Sequence, residues 1–320
     1  MINIKKIIII ITSIIILITI LIYLKLNNPS LDKLITKAKN TTSYQLIGDM
    51  EILQNDELKS YEVKVDYLKK DKNNYYKVEL YDKSLNQAQI IIKNKKAVYV
   101  LTPTINQTFK FQSNWPDNGP KPYIYHYLIN LLDNNKVKKI DKGYQIKAKV
   151  KYPNDNRITN QEVIFDKQLK PLIVLCLDKD DREIITLQVK EFKHKKYQTK
   201  HFDHKKVNTT NKVSTKLDIL YPITLLGSSL DSESVSTVSN NKNHILRFTG
   251  NKNYTLIESK QDTIDTTNLE VIDLIDNFAF YTPGKLSINY YGTRCDLYSK
   301  DLTKEEMIQI VSSMQTSSLK

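Results

Sequence analysis

The sequence predicts an α+β protein: an N-terminal membrane helix, an antiparallel half-barrel covered by helices, and a small C-terminal α+β domain. Three observations carry this. Residues 7–24 form an uncharged run, IIIIITSIIILITILIYL. From Tyr44 onward the pattern switches to period two and mostly stays there as far as Phe192. The remainder mixes short strand-like runs with one strongly signalled helix near the C-terminus.

An apolar run of about 18 residues just spans a bilayer's hydrocarbon core. Ile7, Ile11, Ile15, Leu17, Leu21 and Leu24 are the expected anchor residues, flanked by Lys5, Lys6 and Lys25. Lysines on the short leading side favour a cytoplasmic N-terminus. A cleaved signal peptide would end in small residues, and Ile22-Tyr23-Leu24-Lys25-Leu26 offers no such site. Nor does a lipid-bearing cysteine follow the run. The expectation is a single-pass cell-membrane protein, 1–27 being tip and anchor, with its bulk outside the cytoplasm.

The remaining chain divides into a half-barrel domain at 28–205, a polar linker at 206–216 and a small α+β domain at 217–320. Lys and Arg total 48 against 35 Asp and Glu, a net charge of +13. An excess of this sign suits a surface facing anionic lipid or wall polymer. Nucleic acid is not an expected partner of an exported chain. Cys176 and Cys295 fall in different domains, each inside a strand pattern, which reads as two buried thiols.

Leu31, Leu34, Ile35 and Ala38 make one helical stripe after a Ser30 N-cap. The clearest strands are 61–67 and 144–152. In the first, Tyr61, Val63, Val65 and Tyr67 face one way while Glu62, Lys64 and Asp66 face water; such alternation marks antiparallel strands with one wet face. Further strands are expected at 44–53, 75–81, 88–92, 97–101, 108–112, 162–165, 172–177 and 184–192, about ten in all. A helix at 122–133 interrupts them, with Ile124, Leu128, Leu131 and Leu132 apolar. The two helices would roof the hollow of the sheet. In the last domain strands are read at 244–249, 254–258, 278–281, 286–291 and 294–298. Thr303 and Glu306 then form a capping box, with Leu302 and Met307 as its staple.

The chemistry-bearing residues are sparse. His194, His201 and His204 cluster in KHKKYQTKHFDHKK, whose six lysines would repel a metal ion, so no metal site is expected. Lys193, His194, Lys195, Lys196 and Lys200 make a basic contact patch instead. There is no HExxH or GxSxG, and the glycines are scattered, so no catalytic residue or cofactor is expected. Tyr61, Val63, Val65, Tyr67, Tyr99, Phe109, Phe111, Tyr144, Ile146 and Val150 would line the hollow. They serve either as ordinary core or as the wall of an acyl-chain site.

Val98-Tyr99-Val100-Leu101-Thr102-Pro103 with Asn106-Gln107, and the corner Val163-Ile164-Phe165-Asp166-Lys167-Gln168-Leu169-Lys170-Pro171, resemble the LolA-like superfamily and its RseB and MucB relatives. The segment 294–314, a strand followed by DLTKEEMIQIVSSM, resembles the small domain of YdcC-type sporulation proteins. Taken together, the chain is similar to the clostridial germination family of GerS, although GerS members are usually lipoproteins and this chain lacks the lipid-bearing cysteine. The resemblance implies a non-enzymatic companion of a cell-wall amidase acting on cortex peptidoglycan. Alternatives implied by it are a lipid or lipoprotein carrier, and an envelope sensor that works through a separate transmembrane partner.

Overall fold

A computed structural model describes residues 12–19, 29–54, 57–103, 107–207, 219–238, 241–260, 269–290 and 292–316. The chain forms two compact units, Met1–Thr41 and Thr42–Lys320.

In the first unit, residues 12–19 are helical (α1), and Ile14 to Ile18 are each about half exposed. Among the described residues no helix is long and apolar enough to cross a membrane. Ile15 and Leu17 belong to α1, whereas Ile7, Ile11, Leu21 and Leu24 lie outside the described residues. Helix α2 (Leu31–Lys39) carries Asp32 in its first turn and Lys37 and Lys39 in its last, the arrangement the helix dipole favours. Ser30 occupies the N-cap, but its side chain makes no capping bond.

Eleven strands of the second unit form one open antiparallel sheet. They are β1 (Ser43–Gln54), β2 (Glu57–Lys70), β3 (Asn73–Asp82), β4 (Gln87–Lys93), β5 (Val98–Thr102), β6 (Gln107–Phe111), β7 (Val137–Ile140), β8 (Gly143–Lys149), β9 (Asn160–Asp166), β10 (Pro171–Leu177) and β11 (Glu183–Lys193). Their order is β6-β5-β4-β3-β2-β1-β11-β10-β9-β8-β7. Two hairpin meanders are therefore joined by the β1–β11 pair. The sequence missed β7, a four-residue edge strand whose central positions are lysines. The expected helix at 122–133 is shorter: α3 (Tyr125–Asn130) continues as a 3-10 turn, Leu131–Asp133.

The second sheet orders β13 (Ser228–Val238), β14 (Asn241–Gly250), β15 (Tyr254–Ser259), β19 (Thr293–Tyr298), β18 (Lys285–Tyr290), β17 (Phe278–Thr282) and β16 (Glu270–Asp273). A short pair, β12 (Leu220–Pro222) with β20 (Met314–Thr316), stands beside it. Helix α4 (Lys304–Ser312) starts in the expected capping box: the Glu306 amide donates to Thr303 Oγ1 at 3.2 Å, and Glu306 Oε2 accepts from the Thr303 amide at 2.8 Å. Its Met307, Ile310 and Val311 pack with Leu246, Leu256, Ile288 and Leu297 into one core, which Leu302 flanks. The sequence missed β13, because SSLDSESVSTV is polar on both faces. Of the expected linker only 206 and 207 are described, after a 3-10 turn at His204–Lys206.

At the centre of the first sheet, the register of β1 against β11 slips between Ile47 and Gly48. A Cβ on Gly48 would lie 2.5 Å from the Gln188 carbonyl oxygen. Glycine is required there because the backbones approach too closely for a side chain. Gly48→Val is expected to lower stability by about 1–3 kcal/mol, the usual cost of overpacking. Denaturant unfolding of the full chain checks this, with Gly119→Ala, whose Cβ would meet the Pro153 ring edge at 3.3 Å, as the milder comparison.

Candidate functional site at the junction of the two sheets

Cross-strand register fixes which side chains share the inner face of the first sheet. Tyr61, Val63, Val65 and Tyr67 stand opposite Met50, Gly48, Leu46 and Tyr44 on β1. On the other side they face Asp82, Leu80, Val78 and Tyr76 on β3. The same face continues through Val100 and Phe109 to Phe111. In the other meander it carries Val163, Ile146 and Tyr144, with Val150 just beyond the end of β8. Tyr144 and Val150 are half-buried; the others of this set are buried.

Tyr99 is the exception and corrects the expected lining. All five β5 residues are buried, so alternation gave no sign of which face was inner. Tyr99 lies on the outer face, with Leu68, Ile90, Ile92 and Phe202, and its ring stacks on His204 at 3.9 Å.

Rings fill the inner face. Tyr67 lies 5.0 Å from Tyr44, 4.8 Å from Tyr76 and 4.6 Å from His126. Helix α3 is pinned over them, its Tyr125 amide donating to Tyr44 Oη at 3.3 Å. Trp115 is fully buried and meets Tyr76 on one side and Phe278 of β17 on the other.

That last contact marks the junction. The turn between β16 and β17 inserts over the inner face. Tyr61 donates to Asp276 Oδ2 at 2.8 Å, Gln89 Nε2 to Asn277 Oδ1 at 3.1 Å, and Tyr123 to the Ile275 carbonyl at 2.9 Å. Phe111 packs 5.0 Å from Phe278. Beneath the turn, Lys121 Nζ meets Asp273 Oδ2 at 2.8 Å, with both side chains under a tenth exposed. Burial pushes the Asp273 carboxyl up, and Lys121 opposes that shift. A cleft of about 310 Å³ opens beside this pair, bordered by Ile52, Tyr152, Arg157, Glu270 and Lys304. Its outer charges are paired, Arg157 with Asp155 and Lys304 with Glu270.

Chain 194–207 lies against the outer face. Asp66, expected in water, is instead 2 % exposed. It accepts from Gln45 Nε2 at 2.7 Å, meets His201 Nε2 at 2.7 Å and accepts from the Tyr197 hydroxyl. Burial raises its carboxyl, but these three partners outweigh burial and hold it below the usual range. His204 is pulled down, by burial first and then by Lys205, Lys110 and Lys96, against Asp203. Of the basic patch, Lys193, His194, Lys195, Lys196 and Lys200 are all exposed; Lys193 pairs with Glu191 at 2.6 Å. The three clustered histidines are thus divided between a carboxylate, a ring stack and solvent. Among the described residues no group of three His, Cys, Asp or Glu could hold a metal ion. Both cysteines are free and buried; burial pushes the Cys176 thiol up to about 12, far from a nucleophilic thiolate.

Sequence reasoning missed Lys121, Asp273 and Asp276. Their partners lie about 150 residues or more away along the chain, and single charged residues in loops carry no periodicity. It also missed Glu258, which is fully buried beside Cys295. Both its oxygens accept from the Leu220 amide, at 3.1 and 3.2 Å.

Lys121→Met is expected to cost about 3–5 kcal/mol in denaturant unfolding, because it leaves a buried charge without a partner. Lys121→Met combined with Asp273→Leu is expected to recover most of that loss. Glu258 sets a pH dependence. An unfolded Glu ionises near about 4.3, whereas burial holds the folded Glu258 protonated up to about 8. Between those values the folded chain binds the extra proton, so stability falls as pH rises. Unfolding measured across that window is expected to show a slope approaching one proton, flattened in Glu258→Gln.

No family model matches the chain. It is 30% identical over 303 residues to the sporulation protein YdcC of Bacillus subtilis, covering 89% of each chain. Among solved structures it is similar to the MucA/MucB complex of Pseudomonas aeruginosa, with a TM-score of 0.32 and 11% identity over 89% of this chain and 96% of that one. It is similar to a complex of the CwlD amidase with the GerS lipoprotein from Clostridioides difficile, with a TM-score of 0.33 and 19% identity over 50% of this chain and 91% of that one. A LolA superfamily protein from Nitrosomonas europaea matches with a TM-score of 0.30 and 12% identity over 55% of this chain and 99% of that one. The likeness to YdcC runs nearly end to end on both sides, and the chain belongs to the family of that sporulation protein.

Proposed function

We propose that this chain is a membrane-tethered, non-catalytic accessory protein of the envelope of a sporulating cell, acting by contact with another protein. The carrying observation is its 30% identity to a sporulation protein over 89% of both chains. The tether reading is supported by residues 7–24 of the sequence and by the half-exposed isoleucines of α1. Contact with a protein is favoured over an acyl-chain site because Trp115, Tyr44, Tyr67 and Tyr76 already occupy the inner face.

In its finer form, the partner is an amidase that acts on cortex peptidoglycan, as the sequence resemblance to the GerS family implies. The test is reconstitution. The full chain, purified in detergent, is mixed with an N-acetylmuramoyl amidase from the same sporulating cells, and product release from isolated cortex is followed. The chain alone is expected to release nothing, and its addition to raise amidase turnover at least about tenfold, the scale of one well-placed contact. Unchanged turnover together with no complex by gel filtration would remove the amidase from the proposal. Normal spores from a strain lacking the chain would remove the sporulation role.

A further inference from the structure

The first sheet is electrically polarised along its strands. Antiparallel register gathers at one end the β2–β3, β4–β5, β7–β8 and β9–β10 turns, the start of β1 and the exit of β11. Every one of those turns carries an exposed lysine. The β2–β3 turn presents Lys70 and Lys72, and the β4–β5 turn presents Lys95 and Lys96. In the other meander Lys142 and Lys167 occupy the corresponding turns. The exit of β11 adds Lys195 and Lys196. Among the described residues these eight lysines have no ion-pair partner. Asp71, Asp141 and Asp166 are the acids in the turns themselves, and Asp166 is engaged by the amides of Gln168 and Lys170. Lys72 holds a left-handed φ of 64°, where Gly or Asn would be less strained, so the turn does not explain that lysine.

The opposite end has a different charge balance. Acids answer cations there, Lys83 with Asp49, Lys147 with Asp181, and Arg182 with Asp178, although Lys149, Lys151 and Lys179 are exposed at that end with no ion pair among the described residues. It is also where the second sheet attaches, through Lys59 to the Ser312 carbonyl and Asn154 to the Asp273 carbonyl. At the lysine-bearing end the second sheet reaches the edge strand β6, where Phe111 packs on Phe278 and Phe280; it is also the end at which the chain enters β1. From Leu24 to Thr42, with α2 helical, the chain can reach at most about 45 Å.

We infer that this lysine-bearing end is a docking surface for an anionic lipid bilayer, holding the sheet end-on against the membrane from which the chain emerges. The inference rests on the tether proposed above for the chain's entry, and on unpaired positive charge for the contact. Lysines near an anionic surface gain about 1 kcal/mol each, within a Debye length of about 10 Å. Several turns at one level let many lysines act together, which no single strand would allow.

The experiment is lysine footprinting of the full chain with an amine-acylating reagent, read by mass spectrometry. The chain is reconstituted into phosphatidylcholine vesicles, either neutral or containing about one third phosphatidylglycerol. Lys70, Lys95, Lys96, Lys195 and Lys196 are expected to react several-fold more slowly in the anionic vesicles, and to recover in about 0.5 M salt. Lys149, Lys151 and Lys179, exposed at the opposite end, are expected to react equally in both. In the charge-reversed variant K95E/K96E/K195E/K196E the protection is expected to disappear. Equal reactivity in both vesicles, or protection only on adding purified anionic wall polymer, would overturn the inference. Flotation of the same samples separates it from the tether. A chain that floats with both vesicles but shows no protection keeps the tether and loses the docking surface. A chain that floats only with anionic vesicles keeps the docking surface and loses the tether. A chain that floats with neither loses both.

Discussion

The first sheet depends on one pairing. Strand β1 bonds to β2 along its whole length on one side and to β11 on the other. Every other neighbour relation in that sheet is a hairpin between consecutive strands. Hairpins close short loops and form readily, but β1 and β11 are joined by a segment of well over a hundred residues, and such non-local pairing is the slow part of building a sheet. Gly48 sits in the middle of this seam, where the β11 backbone leaves no room for a side chain. Two independent meanders thereby become one surface, and the inner face acquires enough continuous apolar area to bury Trp115 and the rings around it.

How far the sequence could be read follows from where water is. β2 was legible because Tyr61, Val63, Val65 and Tyr67 alternate with Glu62 and Lys64, and one face is indeed wetter than the other. The same strand misled at Asp66, since chain far downstream folds back over it and supplies Tyr197 and His201. β5 is buried on both faces, so its hydrophobic run fixed a strand but not its orientation, and Tyr99 was assigned to the wrong side. β13 escaped because a serine-rich edge strand has no apolar face to declare it. α4 was read correctly down to its cap, because a capping box is a local device whose partners lie three residues apart. The junction could not be read at all: Lys121, Asp273 and Asp276 meet only after both sheets exist.

Charge follows the same architecture. Where the two sheets meet, cations find acids, and the Lys121–Asp273 pair is sheltered from water. At the far end of the first sheet, the turns display exposed lysines that have no ion pair among the described residues. A net charge of +13 is thus not spread evenly over the molecule. It is concentrated by strand register, which converts a compositional bias into a direction.

Cys176 and Cys295 lie in separate sheets, both buried, the first against the Tyr152 hydroxyl and the second beside Glu258. In an oxidising compartment, free thiols can be drawn into bridges while a chain folds. Here the native state asks for none, and once folded it hides both sulfurs from any oxidant. Maturation of this fold can therefore proceed without an oxidoreductase, and its integrity is independent of the redox state in which the finished protein finds itself.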